Sequence, residues 1–207
     1  MTRLEPMNVR HKAAYRLYAA APGRVRIAGR QHLLGGRKTP SKARMSVTNA
    51  GGVEIASFPI FAENEAEIAF DAPEAGFYLL SMPVPGNAVR LCAANVPVAI
   101  EVPEEGVNLI YSAGRLLFRK EAGKRATLAV RGSLPERVDA TILDPDGCRV
   151  WTRGNIGEWA AFEADAADRA GLWTLEMAPS AAAPFEDCTV LIRGIEPELF
   201  LSEETAW

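Results

Sequence analysis

A short segment occurs twice in this chain of 207 residues. Residues 75–82 (AGFYLLSM) return as residues 170–177 (AGLWTLEM), 95 positions later (170 − 75 = 95). Both copies follow one pattern: a small residue, glycine, an apolar residue, an aromatic residue, any residue, leucine, a polar residue and methionine. A glycine followed by such an apolar run predicts a β-strand that begins at a turn. A chain that carries this strand twice is expected to contain two domains of similar build.

The alternation of each copy predicts which side chains enter a core. In a strand, successive side chains point to opposite faces of the sheet. One face of each copy is therefore predicted to be buried. The predicted core positions are Tyr78, Leu80 and Met82 in the first copy and Trp173, Leu175 and Met177 in the second.

The other face differs between the two copies. It carries Phe77 and Leu79 in the first copy, where the second has polar Thr174 and Glu176. A strand that is apolar on both sides is expected to be covered on both sides. We hypothesise that Phe77 and Leu79 contact the other domain.

The rest of the two halves also aligns, which predicts an internal duplication. The offset is 100 residues near the start and end of each half and 95 in the middle. The gaps fall in predicted connections: a long loop at 29–40 against a turn at 132–135, and an insertion at 178–187. Aligned pairs include Asn8 with Asn108, Leu17 with Leu117, and Ile55 with Val150.

Strand patterns with frequent turn signals predict the fold class. Short segments of alternating polar and apolar residues are separated by Gly, Pro, Asn and Asp clusters, among them 49–52, 85–87 and 144–147. We therefore predict an all-β protein of two tandem antiparallel β-sandwich domains, jelly-roll or immunoglobulin-like, related by duplication. The first domain is assigned to residues 5–101 and the second to 105–203, joined by an acidic Pro/Gly segment.

Charge and hydropathy narrow the classes of partner. The formal net charge is −3 and the sequence pI is about 5.6, which gives no electrostatic reason to expect nucleic acid. No apolar stretch has the length of a membrane span, and the first residues, MTRLEPM, lack the pattern of a secretory signal. The sequence predicts neither a nucleic-acid nor a membrane partner, and it assigns no compartment.

Few residues have the chemistry of a catalytic centre. The two histidines are His11, in a predicted strand, and His32, in the predicted long loop. The chain has no Gly-x-Ser-x-Gly elbow, no glycine-rich phosphate loop and no histidine pair typical of a metal site. The sequence therefore predicts a protein that is not an enzyme and that holds no cofactor.

The cysteines and the acidic turns leave alternatives open. Cys148 and Cys188 either form a disulfide or, with Cys92, remain buried free thiols, and the odd number favours free thiols. Asp144 and Asp146 have two interpretations. They supply calcium ligands together with Asp165, Asp168 and Asp187, or they only shape a hairpin turn. The aligned turn at 49–52 has no carboxylate, which favours the turn, and no metal ligand is assigned.

An aromatic platform is the most specific candidate for a ligand site. In the segment CRVWTR, alternation directs Val150 inward and turns Trp151 outward between Arg149 and Arg153. An exposed indole beside hydrogen-bonding groups can stack on a sugar ring or anchor a protein contact. Trp159 is expected to extend this surface. The alternative is that Trp151 lies under the guanidinium groups or fills the domain junction.

The second half resembles a known group of domains. The segments AGK at 122–124, DPDG at 144–147 and AGLWTL at 170–175 are similar to motifs of bacterial accessory β-sandwich domains of the pre-peptidase C-terminal type. These domains are appended to secreted hydrolases. The resemblance covers about the last 100 residues, and it implies a non-catalytic module that aids substrate binding, secretion or packing. We therefore expect a binding or accessory module, with a polysaccharide as the favoured partner and a structural or protein-interaction role as the alternative.

Overall fold

The protein is all-β. The computed structural model describes residues 1–36, 41–133 and 135–207, and over these ranges it contains β-strands and one short 3₁₀ helix at Glu203–Thr205, with no α-helix. Within the same ranges, no helix has the length and hydropathy of a membrane span. The predicted all-β class is confirmed.

The chain forms two compact units. The first unit contains Met1–Glu101 together with Phe200–Trp207, and the second contains Val102–Leu199. The sequence assigned residues up to 203 to the second domain, so the grouping of the last residues with the first unit was not expected.

The first unit is organised around one long strand. Strand β7 has 19 residues; its first half pairs antiparallel with β2 and β4, and its second half pairs with β3 and β1. Two runs of strands share it, β5–β4–β7–β2–β8 and β6–β3–β7–β1. The strands are β1 (Thr2–Arg3), β2 (Val9–Ala19), β3 (Gly23–His32), β4 (Arg44–Asn49), β5 (Glu54–Pro59), β6 (Ala66–Ala72), β7 (Gly76–Ala94) and β8 (Val98–Glu101).

Two predicted connections of this unit lie wholly or partly within strands. The turn signal at 85–87 lies inside β7, where the ladder to β2 skips from Val84 to Ala88 and Gly86 adopts a φ of +73°. Glycine suits that position because positive φ is strained for other residues. The predicted loop at 29–40 begins later than expected, since β3 continues to His32; residues 37–40 lie outside the described residues.

The second unit contains two runs of antiparallel strands, β13–β12–β15–β10 and β14–β11–β16–β9. In the predicted turn at 132–135, Leu134 lies outside the described residues. The strands are β9 (Val107–Ile110), β10 (Gly114–Lys120), β11 (Ala126–Gly132), β12 (Val138–Leu143), β13 (Arg149–Ile156), β14 (Ala160–Ala164), β15 (Gly171–Pro179) and β16 (Asp187–Arg193). They are followed by β17 (Glu198–Phe200), whose last residue belongs to the first unit.

The hairpins β4–β5 and β12–β13 have the same register. Val47 pairs with Ala56 in the first, and Ile142 pairs with Trp151 in the second. Each residue of the second pair is 95 positions after its counterpart (142 − 47 = 95; 151 − 56 = 95). Each hairpin also has a register shift directly beside this pair. The offset read from the sequence therefore matches the strand pairing at this hairpin.

The repeated segments form the centre of the two units as predicted. All six predicted core positions are buried, with Tyr78, Leu80 and Met82 in β7 and Trp173, Leu175 and Met177 in β15. The two aromatic side chains also share a polar contact. The Tyr78 hydroxyl donates to the Glu74 carbonyl at 2.7 Å, and Trp173 Nε1 donates to the Arg169 carbonyl at 3.0 Å. In each case the acceptor lies four residues before the aromatic residue.

Phe77 contacts aromatic rings of its own unit. It is 39% exposed, and its ring centroid lies 5.1 Å from that of Tyr18 and 5.3 Å from that of Trp207. Trp207 also meets Phe200 edge-on at 4.9 Å. These contacts attach the C-terminal segment to the unit. The hypothesis that Phe77 and Leu79 contact the other domain stays a prediction.

Candidate functional site

The structure reverses the predicted orientation of Trp151. Trp151 is opposite Ile142, whose side chain is fully buried, so the indole lies on the inner face of β13. Its ring centroid is 6.4 Å from that of Phe162. Val150, which was predicted to point inward, is 45% exposed. Both orientation predictions are wrong.

A β-bulge is the physical reason for this reversal. Leu143 pairs with Arg149 and Ile142 pairs with Trp151, so Val150 is an extra residue without a counterpart on β12. A bulge interrupts the alternation of faces, and residues on its two sides cannot be assigned by simple parity. The predicted alignment of Val150 with Ile55 agrees with the pairing, because Ile55 is the corresponding extra residue of β5.

Trp151 belongs to an aromatic cluster inside the second unit. Phe162 lies between Trp151 and Trp173, with its ring centroid 5.7 Å from that of Trp173. Phe118 completes the cluster at 6.1 Å from Trp173. These rings come from β10, β13, β14 and β15, so the cluster connects both runs of strands. Burial of large rings in this manner is a major source of stability.

The predicted platform residues are not arranged on one outward surface. Arg149 and Arg153 are exposed, whereas Trp151 is partly buried, and the ladder shifts register on both sides of the Trp151 pair. Asn155 follows with a φ of +56°, and its backbone N–H donates to Asp139 Oδ1 at 2.7 Å. Ligand binding by Trp151, Arg149 and Arg153 stays a prediction.

A different tryptophan is exposed beside a basic group. Trp159 is 43% exposed, and the Arg131 guanidinium carbon lies 4.8 Å from the centroid of its ring. This distance is typical of a cation–π contact. The two residues meet because β11 and β14 are paired, with Val130 opposite Ala160. No local sequence signal connects Arg131 with Trp159, since only the strand pairing brings them together.

A shallow cleft of about 160 Å³ adjoins this pair. Arg131 Nε is buried and has no hydrogen-bond partner within the described part of the chain. The Arg137 side chain occupies the space that a side chain at position 157 would enter, so it would have to move to admit one. The cleft therefore offers a guanidinium and a carboxylate, and the exposed Trp159 follows Glu158 directly in the chain. Its lining residues are Arg131, Gly132, Ser133, Gly157 and Glu158.

The acidic residues of the turns make local contacts. Asp144 Oδ1 accepts from the backbone N–H groups of Asp146 and Cys148 at 3.0 and 2.8 Å. Asp146 forms an ion pair with Arg169, and Asp168 accepts from the Asp165 backbone. Across residues 1–36, 41–133 and 135–207, no group of three His, Cys, Asp or Glu side chains is placed to hold a metal ion. These contacts support the interpretation that Asp144 shapes the hairpin turn.

All three cysteines are free, so the alternative of a Cys148–Cys188 disulfide is not realised. Cys92 and Cys188 are buried, as the favoured alternative predicted, but Cys148 is exposed. Burial raises the pKa of the Cys188 thiol to about 12, with a smaller contribution from Asp187. A thiol with such a pKa is uncharged at neutral pH and behaves as an apolar core group.

The histidines occupy separate strands. His11 lies in β2, as predicted, with a φ of +67° next to the register shift between β2 and β7. His32 is the last residue of β3 and is partly buried. Burial, together with Arg90 and Arg30, lowers the pKa of His32, and Glu63 opposes this effect.

A scan against protein-family models finds no match to this chain, and a search of curated proteins finds none.

Proposed function

We propose that this protein is a non-catalytic binding or accessory module whose ligand is a carbohydrate. The observation that carries the proposal is the exposed indole of Trp159, which contacts Arg131, a lining residue of the cleft. Sugar rings present an apolar face that stacks on an indole, and their hydroxyl groups bond to guanidinium and carboxylate groups. Arg131 and Glu158 supply such groups at this cleft.

The proposal includes two β-sandwich domains related by duplication. Each unit has two runs of antiparallel strands with the same order of pairing, and the hairpins β4–β5 and β12–β13 share register and bulge. The hydrogen bonds of Tyr78 and Trp173 to a carbonyl four residues earlier add a second shared detail. Accessory domains of the pre-peptidase C-terminal type, which the second half resembles in sequence, would be built in this way.

The test is retardation of the protein in native gels that contain soluble polysaccharides. We expect retardation of the wild type that is lost in Trp159→Ala and weakened in Arg131→Gln, because both residues contribute. Val150→Ala, which removes another exposed apolar group of the same unit, is the matched control and should be retarded like the wild type. Circular dichroism establishes that each variant is folded.

Trp151→Ala is run beside these variants to test the site that the sequence predicted. Loss of retardation in Trp151→Ala but not in Trp159→Ala would move the site to Trp151, Arg149 and Arg153. If no polysaccharide of the panel changes the migration of the wild type relative to a gel without polysaccharide, the carbohydrate proposal is contradicted.

The alternative is a structural unit or a protein-interaction unit, which the exposed side chain of Val150 favours. Val150 lies on β13, the end strand of its run, where a partner strand would extend the sheet. Static light scattering or cross-linking of the wild type and Val150→Lys tests this alternative. A complex that is lost in Val150→Lys would support it.

A further inference from the structure

Two arginines lie directly opposite each other on neighbouring strands of the first unit. Arg30 of β3 is paired with Arg90 of β7. Paired residues of an antiparallel ladder place their side chains on the same face of the sheet. The adjacent pair of the ladder, Gln31 with Val89, is buried, and its side chains lie on the opposite face of the sheet. The Arg30–Arg90 pair therefore lies on the face of the sheet opposite to Gln31 and Val89, where both arginines are partly buried.

Like charges opposite each other in a sheet are unfavourable, so such a pair requires compensation. No carboxylate forms an ion pair with Arg30 or Arg90 in the part of the chain that the structure describes. The other arginines of β3 differ in this respect. Arg24 is paired with Asp71 at 3.0 Å and Arg26 with Glu67 at 2.8 Å.

The guanidinium of Arg90 is also held in position. Its Nε donates to Asn8 Oδ1 at 3.0 Å, and Asn8 is buried. A neutral amide oxygen orients the group without neutralising its charge. Burial and the charge of Arg30 lower the pKa of Arg90, which agrees with two partly buried cations in proximity.

Further basic residues lie next to the pair on this face. Ala88 lies two positions from Arg90 on β7, and it is paired with His32 on one side and Arg10 on the other. Ala88 has no exposed surface, so the sheet is closed at this position. The ladder places His32 and Arg10 on the two sides of Ala88, and Arg30 and Arg90 form the next pair on the same face.

We propose that Arg30 and Arg90, with His32 beside them, form a binding site for an oxyanion such as a phosphate or sulfate group. Guanidinium groups bind tetrahedral oxyanions through paired, charge-assisted hydrogen bonds. A bound anion offsets the repulsion between the two arginines, neither of which has an ion pair with a carboxylate among the described residues. This site lies in the first unit and does not depend on the cleft at Trp159.

The test uses inorganic phosphate with the full chain. Thermal unfolding is measured in sodium phosphate and in sodium chloride of equal ionic strength, and amide chemical shifts are followed during a phosphate titration. We expect phosphate to raise the melting temperature more than chloride does, and the shifts to concentrate at residues 28–32 and 88–92. Shifts at other residues, or equal stabilisation by both salts, would overturn the proposal.

Two variants and a matched control sharpen this result. Arg30→Gln and Arg90→Gln each remove one guanidinium and are expected to weaken phosphate binding about ten-fold or more. Arg26→Gln removes a guanidinium of the same strand that is already paired with Glu67, so its phosphate affinity should equal that of the wild type. Equal affinity in all four proteins would overturn the proposal. The titration of the wild type decides the question even if a variant fails to fold.

A third experiment distinguishes a free phosphate ion from a phosphate group carried on a sugar. Glucose 6-phosphate and glucose are titrated in parallel with inorganic phosphate. Tighter binding of glucose 6-phosphate than of phosphate would assign the site to an anionic group on a sugar, and equal binding would assign it to the free ion. Binding of glucose alone at these residues would overturn an anion site.

Discussion

The two units use the same strand pairing around different interiors. In the first unit the hairpin residue opposite Val47 is Ala56, and in the second the residue opposite Ile142 is Trp151. In the second unit Trp151 is part of a cluster of four aromatic rings, with Phe118, Phe162 and Trp173. Identical register with unequal side chains indicates that the pairing does not depend on the aromatic cluster.

The two units share specific contacts at the repeated strand. Tyr78 and Trp173 occupy corresponding core positions, and each donates a hydrogen bond to a carbonyl four residues earlier. A ring with a polar tip can fill a core and also fix the turn that leads into its strand. We infer that this combination, rather than the surrounding packing, is what both units require.

The largest expected effect is from removal of these two rings. Tyr78→Ala and Trp173→Ala should each lower the free energy of unfolding by about 3–5 kcal/mol, since each leaves a large cavity. Denaturant unfolding followed by circular dichroism measures both values. A loss below about 1 kcal/mol at either position would show that the two rings are not equivalent.

Trp151 and Trp159 distinguish an interior ring from an exposed one. Trp151→Ala should cost about 2 kcal/mol because Phe162 loses a neighbour inside the unit, whereas Trp159→Ala should change stability by less than about 0.5 kcal/mol. Urea unfolding provides the comparison. Fluorescence quenching by acrylamide should be reduced more by Trp159→Ala than by Trp151→Ala. The reverse order would indicate that Trp151 is more exposed to solvent than Trp159.

The hydrogen bond at the repeated strand is tested separately from its ring. Tyr78→Phe keeps the ring but removes the hydroxyl that donates to Glu74, so it should cost about 1 kcal/mol. Tyr18→Phe is the control, because the Tyr18 hydroxyl makes no hydrogen bond with the described residues. A cost equal to that of the control would mean that the turn is held by other contacts.

The smallest effect is a pH dependence that belongs to the first unit alone. Burial, Arg90 and Arg30 lower the pKa of His32 in the folded protein, although Glu63 acts in the opposite direction. The unfolded chain therefore binds a proton more readily, and stability should fall as the pH is lowered through about 6.5. Chemical unfolding at pH 7.5 and 5.5 should show a smaller loss in His32→Gln than in the wild type. An equal loss of stability between pH 7.5 and 5.5 in both proteins would show that His32 does not cause the pH dependence.

The sequence predicted the class of fold and the central strands because these depend on local alternation. Tyr78, Leu80 and Trp173 were assigned to the core from period two alone, and they are buried. The same argument placed Trp151 outward and was wrong, because the bulge at Val150 reverses the faces. Neither an extra residue in a ladder nor a pairing between distant strands has a local signature.

The residues at the two proposed sites could not be grouped from the sequence for a related reason. Arg131 and Trp159 meet only through the pairing of β11 with β14, and Arg30 and Arg90 only through that of β3 with β7. Each pair is separated by a length of chain in which no motif marks a partner. Single basic and aromatic residues are common on surfaces, and of these four only Trp159 was named from the sequence, as an extension of the Trp151 surface.

The continuous strand β7 gives the first unit a form of mechanical coupling that the second lacks. Its 19 residues belong to both runs of strands, whereas in the second unit β15 and β16 are separate strands joined by a connection. A single backbone that is shared by two runs of strands cannot leave one ladder without disturbing the other. In hydrogen exchange, the two halves of β7 should open in one cooperative event, while β15 and β16 are free to open with different energies.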